Sequence, residues 1–287
     1  MGTKVAVIGG GSTYTPELVE SFGRHEDRLV VDELVLFDPD PERLDVVGGL
    51  AGRILSHQGW RGQLVTTADR RRAVDGADFV VVQLRVGGQA ARHLDETIPP
   101  LHGCVGQETT GPGGLAKALR TVPIVLEIAE ETATVGAPGA WLVDFTNPVG
   151  IVTQALLDDG HRAVGLCNVA IHTQRRLAHY LGADPDTVEV EHVGLNHLSW
   201  SRSARVGGSD RLPELLERFG PELELESGVP VALSRLLGAL PSYYLHYYYC
   251  RDEELREQTS PGYRSRAEVV AELERELLAE YRDPGLV

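Results

Sequence analysis

The chain has 287 residues, 42% of them hydrophobic and 24% charged, which is enough for one large or two modest domains with a substantial core. A net charge of −15 argues against nucleic acid or an anionic membrane as a partner, yet a few clustered arginines can still hold a phosphorylated small molecule. No apolar run approaches membrane-spanning length, the N-terminus reads as having no signal peptide, and Ala6 stands where a myristoylation motif needs Ser or Thr. Three widely spaced cysteines (Cys104, Cys167 and Cys250) do not form a disulfide framework, so the expected compartment is the reducing cytoplasm.

In chain order, the β-branched run Val5, Val7 and Ile8 predicts a buried parallel strand, ended by Gly9, Gly10 and Gly11. Thr15, Pro16 and Glu17 predict a helix start, with Thr15 as N-cap. A strand, a glycine turn and a helix N-terminus together form a seat for a pyrophosphate. The turn (Gly9, Gly10, Gly11, Ser12) departs from G-x-G-x-x-G, because Tyr14 replaces the third glycine. A second strand over 33–38 ends on Asp38, an acid suited to the adenosine ribose of NAD rather than NADP, and 23–32 reads as an inserted loop. A helix over 41–57, a strand over 62–67 and a strand over 77–83 follow. A long helix over 114–135 carries Leu115, Leu119, Val122, Leu126 and Ala129 at helical spacing, with Pro123 as a kink. A strand over 140–144, a helix over 149–157 and a strand over 163–166 complete a doubly wound, Rossmann-type α/β sheet.

Ligands in such sheets bind beyond the carboxyl ends of the strands. Gln83 to Gly88, Phe145 to Pro148, and Cys167-Asn168 therefore matter most. The pattern then changes: 187–194 and 198–206 read as extended segments flanking Asn196-His197, and a short helix follows near 212–219. A tyrosine-rich run over 241–249 comes next, then an amphipathic helix over 266–281 with Val270, Leu273, Leu277 and Tyr281 on one face. Cys167 and His197 are a donor pair suited to a borderline divalent metal, but a strand-end cysteine is equally a plain small hydrophobe, and His172 and His192 read as structural or surface residues. Arg85 and Arg92 suit a phosphate or carboxylate, or else pair with Asp95 and Glu96 on a solvated helix face. Residues 107–114 suit a substrate-facing loop.

The segments Val7-Ile-Gly-Gly-Gly-Ser-Thr, Gln83-Leu-Arg-Val-Gly-Gly, Gly106-Gln-Glu-Thr-Thr-Gly-Pro-Gly-Gly, Asp144-Phe-Thr-Asn-Pro, Gly165-Leu-Cys-Asn and Gly194-Leu-Asn-His, in that order, resemble glycoside hydrolase family 4. Within it they are most similar to the 6-phospho-β-glucosidases. The family is the NAD-dependent exception to two-carboxylate glycoside hydrolysis. The resemblance implies that NAD takes a hydride from C3 of the sugar, a base removes the C2 proton, the aglycone is eliminated, water adds, and the hydride returns. It implies a divalent metal, usually manganese, held by Cys167 and His197 and acting as a Lewis acid. Tyr244 is implied as the C2 base, with Tyr243 a rival in the same run. Gly9, Gly10, Gly11, Ser12, Asp38 and Gln83 are implied for NAD. Arg92, Glu108, Asn147, Asn168 and Arg266 are implied for the sugar and its phosphate, with Asn168 in the position of the β-specific branch.

The implied substrate is a phosphorylated disaccharide or aryl glycoside, and the implied assembly a homodimer or homotetramer. The expected division is a Rossmann-type NAD domain over 1–175 and an α+β substrate and metal domain over 176–287. The second is taken as incomplete, because family members usually continue past Val287. From that shortening, NAD binding is expected to survive while catalysis is less assured, leaving a non-catalytic NAD-binding protein as an alternative. An NAD-dependent 2-hydroxyacid dehydrogenase of the lactate or malate type is the other.

Overall fold

The computed structural model describes residues 2–287. Strands that read as unbroken β-branched runs need helices on both faces to bury them. The first of two compact units is built that way; it comprises the described residues up to Thr97, Gln107–Leu166 and Arg264–Val287. Its elements begin with β1 (Lys4–Ile8), α1 (Thr15–Arg24), β2 (Glu33–Phe37), α2 (Pro41–His57), β3 (Gln63–Thr67), α3 (Arg70–Val74) and β4 (Phe79–Val82). They continue with α4 (Gly88–Thr97), α5 (Gly111–Val135), β5 (Trp141–Asp144), α6 (Val149–Asp158) and β6 (Ala163–Gly165). The sheet order is β3-β2-β1-β4-β5-β6, all parallel, which is the doubly wound order with its crevice beyond the ends of β1 and β4. One face packs Val19, Leu44, Leu50, Ile54 and Leu55 against the sheet, and the other packs Val74, Val125, Ile128, Val152 and Leu156.

The second unit comprises Ile98–Gly106 and Cys167–Tyr263. Its elements are α7 (Val169–Leu181), β7 (Val188–Leu195), β8 (Leu198–Val206), β9 (Ser209–Asp210), α8 (Leu212–Arg218), α9 (Gly220–Ser227), α10 (Val231–Leu237), β10 (Leu240–Pro241), α11 (His246–Tyr249) and α12 (Arg251–Gln258). Antiparallel β7 and β8 form a hairpin, β10 adds to β8, and Leu177, Ala204, Leu212, Leu215, Leu223 and Leu240 give the unit its own core. The last helix, α13 (Arg266–Glu280), returns to the first unit. The compact units thus divide at 97/98, 106/107, 166/167 and 263/264. Among the described residues no helix is long and apolar enough to cross a membrane.

Two local expectations change. Thr15 is the first helical residue rather than the cap; it is fully buried, and its hydroxyl accepts a bond from Gln83 Nε2 at 2.8 Å. On α5, Leu115 and Leu119 are exposed while Ala118, Thr121, Val125, Ile128 and Ala129 are buried. That helix is apolar over most of its circumference, so spacing alone does not choose its inward face.

Candidate active site: a cofactor turn and a cysteine–histidine–tyrosine cluster

In the first unit, β1 runs straight into Gly9, whose φ of +94° is closed to most side chains; a Cβ there would lie 2.7 Å from the Gln83 carbonyl oxygen. The Gly9 and Gly10 amides both donate to the Phe37 carbonyl (3.0 and 2.7 Å), which clamps the turn to the end of β2. Gly11 donates its N–H to Asp38 Oδ2 at 3.0 Å, and a Cβ on Gly11 would come within 2.8 Å of that carboxylate. Asp38 Oδ1 accepts from the Asp40 N–H at 3.0 Å, and burial raises its pKa against these bonds. Gln83 Nε2 also donates to the Gly9 carbonyl at 3.2 Å, so the two strand ends hold the turn between them. Tyr14, at the missing third glycine, has φ −86° and an exposed ring. No close helix–strand approach occurs there, so a glycine is not required.

The same unit holds a buried charged cluster. Glu108 receives Arg85 Nη1 (2.5 Å) and Lys117 Nζ on one oxygen, and Arg92 Nη2 (3.1 Å) on the other. Arg92 Nε is in turn 2.6 Å from Glu96 Oε1. Burial alone would raise the Glu108 pKa, but Lys117, Arg85 and Arg92 together outweigh it and hold the carboxyl at about 2. Burial likewise lowers Lys117, to about 8, against the opposing pull of Glu108.

Arg92 therefore lies between two carboxylates in the interior, not on a solvated face. Asp95, its other expected partner, is bound by Arg120, with Nη1 to Oδ1 at 2.9 Å. A direct bond from Arg92 to a ligand would have to displace one of its carboxylates, whereas Arg85 is partly exposed and tied to Glu108 through one nitrogen. Asn147 follows Asp144, a fully buried carboxyl that accepts from the Thr146 N–H (2.8 Å) and the Thr153 hydroxyl (3.3 Å); burial raises it to about 7. Arg266 is exposed at the first residue of α13.

The second unit assembles the other candidates from three distant segments. Leu195 pairs with Leu198, so Asn196-His197 is a two-residue hairpin connection. His197 has φ 62°, a left-handed conformation unfavourable for a side chain, and it is 7% exposed. Cys167 Sγ lies 3.5 Å from His197 Nε2. The tyrosine run is delivered by register: Leu240 pairs with Ser201, Pro241 with Trp200, and the Ser242 N–H donates to the Ser199 carbonyl at 2.9 Å. This leads the chain along β8 toward the hairpin tip, where a 3-10 turn at Tyr243–Leu245 stacks Tyr244 on the His197 ring. The rings are 3.5 Å apart between centroids and 11° from parallel. Tyr243 stacks on Tyr244 at 4.3 Å, so of the two it is Tyr244 that touches His197. Burial and the Tyr243 hydroxyl push the Tyr244 pKa up, so it stays protonated unless a cation favours its phenolate. Asn168 is exposed at the start of α7, His172 is exposed, and His192 meets the Ser201 hydroxyl at 3.2 Å.

The donor types of the pair, one sulfur and one imidazole nitrogen, fit a borderline divalent metal. The 3.5 Å between Cys167 Sγ and His197 Nε2 lets both reach one ion, and equally allows a direct sulfur–nitrogen hydrogen bond. Sulfur and nitrogen alone do not select manganese over zinc.

With this geometry in view, comparison with known proteins decides the family. Residues 4–183 match the family 4 glycosyl hydrolases, and residues 192–286 match the C-terminal domain of the same family. The chain belongs to glycoside hydrolase family 4. It is 42% identical to a probable 6-phospho-β-glucosidase of Bacillus subtilis and 39% identical to the 6-phospho-β-glucosidase of Escherichia coli, over 99% of its own length in both. It spans 67% and 66% of those two proteins. The structure of the Thermotoga maritima 6-phospho-β-glucosidase with manganese, NAD+ and glucose-6-phosphate superposes with a TM-score of 0.89 at 33% identity, over 98% of this chain and 68% of that one. Membership of this family sets aside the 2-hydroxyacid dehydrogenase alternative.

Sequence reading gave no role to Lys117 or Arg43. Lys117 lies in a helix already assigned to packing, and its 2% exposure is the one signal that separates it from a surface lysine. Arg43 Nε donates to the Gly11 carbonyl at 3.1 Å. No spacing rule links residue 43 to the turn.

Proposed function

We propose that this protein hydrolyses 6-phospho-β-glucosides with NAD and a divalent ion, manganese being the one found in the relatives' structures. The observation that carries the reading is the meeting of Cys167, His197 and Tyr244 in one cluster. When bound, NAD would accept and later return the C3 hydride, and the ion would polarise the sugar oxygens as a Lewis acid. Cys167 and His197 would hold the ion. Tyr244 takes the C2 proton on its phenolate oxygen, and the same cation that binds the sugar lowers the cost of that phenolate.

In the first unit, the turn Gly9, Gly10, Gly11 and Ser12 binds the dinucleotide, with Asp38 on the adenosine ribose and Gln83 bracing the strand ends. The excess positive charge of Arg85, Arg92 and Lys117 around Glu108 suits the phosphate side of the substrate, joined by Asn147 and Arg266. Asn168 addresses the sugar hydroxyls, and the higher identity to β-glucosidases favours the β-anomer. A working thiolate ligand requires reducing conditions, so the cytoplasm is the proposed compartment. A homodimer or homotetramer, read by light scattering, is the proposed assembly.

The test is release of nitrophenol from an aryl 6-phospho-β-glucoside with NAD, manganese and a thiol reductant. Activity is expected, and Tyr244→Phe is expected to lower kcat by about 10² to 10⁴ while leaving NAD and manganese affinities unchanged. Intact binding of both cofactors with no product would support the non-catalytic alternative.

A further inference from the structure

The hydroxyl of Tyr281 donates to the Thr13 carbonyl at 3.0 Å, joining the end of the last helix to the glycine turn at the start of the chain. In a trans peptide the carbonyl and the following N–H point in opposite directions. The N–H of that same peptide, on Tyr14, donates to Ser12 Oγ at 3.3 Å. One peptide plane is therefore held from both ends. The planes around it are fixed by Ser12 N–H to the Gly9 carbonyl (3.1 Å) and Thr15 N–H to the Ser12 carbonyl (3.0 Å).

Tyr281 is itself firmly placed. Its ring packs against the core face that contains Val19, Leu44 and Leu50. Arg53 Nη2 donates to its carbonyl at 2.7 Å, and Arg53 Nε to the Leu286 carbonyl at 2.8 Å. Further along α13, Glu274 accepts from Gln89 Nε2 at 3.1 Å and meets Arg43 Nη1 at 3.6 Å, while Arg43 also holds the Gly11 carbonyl. At the other end of the helix, the Ala267 N–H donates to Glu96 Oε2 at 2.8 Å, the carboxylate that pairs Arg92.

We propose that Tyr281 is a positioning residue for the cofactor turn: by fixing the 13–14 peptide plane it holds the backbone of the turn in the shape that receives the dinucleotide pyrophosphate. The proposal rests on the reading of this turn as the NAD site. The order of the turn in the free protein follows from the bond alone, and the gain in affinity follows from presenting a backbone already ordered, so that binding does not have to order it.

The experiment compares the full chain with Tyr281→Phe, which keeps the ring and removes only the hydroxyl. In calorimetry the Kd for NAD is expected to rise about fivefold, the scale of one neutral hydrogen bond, and the Kd for ADP-ribose, which lacks nicotinamide, to rise equally. Manganese affinity is expected to be unchanged and Tm to stay within about 2 °C. In hydrogen exchange without ligand, the amides of residues 12–15 are expected to exchange faster in the variant than in the wild type. An unchanged NAD Kd in a variant of a wild type that binds NAD overturns the proposal. So does a weakening matched by loss of manganese binding and a large fall in Tm. If the wild type binds no NAD, the cofactor reading fails on that result alone, and the exchange arm still decides: faster exchange upholds the positioning role and equal exchange overturns it.

Discussion

The glycine turn and the Cys167–His197–Tyr244 cluster are built in opposite ways. The turn is local: Gly9 to Ser12 are consecutive, and the groups that brace them, Phe37, Asp38 and Gln83, come from the ends of adjacent parallel strands. Its shape follows from chain geometry, so a sequence pattern finds it even with its third glycine replaced. The cluster is assembled from a strand end, a hairpin tip and a segment registered on β8, and only pairing brings them together. A local site fails when one residue no longer fits the backbone. An assembled site fails when one chemical group is lost, and its scaffold survives.

The largest expected effect tests that contrast on the assembled side. Cys167→Ser exchanges a thiolate for a hydroxyl of similar shape, and is expected to abolish tight manganese binding and lower activity about 10³-fold, since a Lewis acid supplies several kcal/mol. Calorimetry with NAD on the same variant is expected to give the wild-type Kd. A joint loss of both affinities would mean the two regions are not separable. Next in size is Gly9→Ala. A side chain at φ +94° costs roughly 1–3 kcal/mol, and the Cβ overlaps the Gln83 carbonyl. NAD affinity is expected to fall about tenfold or more with a lower Tm, while manganese affinity stays unchanged; equal NAD binding would show that the turn is not the cofactor seat.

The smallest effect concerns Asp144, at the end of β5 beside the Asn147 loop. Its carboxyl is raised from 3.8 to about 7 by burial, so the folded state holds a proton that the unfolded chain releases. The stability linked to it is complete below about pH 3.8 and is lost as pH rises through about 7. Asp144→Asn keeps the shape without the titration, so its Tm relative to wild type is expected to improve between pH 5 and pH 8. The same difference at both pH values would mean that Asp144 is ionised throughout.

Much of the first unit was legible. Unbroken β-branched runs spaced by helical patterns leave few options besides a parallel sheet, and the strand ends then nominate Asp38, Gln83, Asn147 and Cys167 by position alone. Helical spacing of Leu115 and Leu119 did not reveal that they are exposed, because the apolar arc of that helix is wider than the face it buries. For Arg92 both a ligand role and pairing with Asp95 and Glu96 on a solvated face were open, and the sequence does not report that the Glu96 pair is buried. The interior position of Arg92 follows from Glu96 one turn later together with Glu108 from a separate loop. The helices between 212 and 258 are short, and several carry few apolar residues in phase, so only the first was anticipated.

The amino-acid sequence by itself determined the doubly wound sheet, the glycine turn and the family, because each depends on residues adjacent in the chain or on motifs in a fixed order. Tertiary structure alone decided that His197 meets Cys167, that Tyr244 rather than Tyr243 stacks on that histidine, and that Tyr281 reaches back to Thr13. Those contacts depend on strand register and on the return of the last helix to the first unit. Register is set by the summed packing of many side chains, so no single spacing in the sequence encodes it.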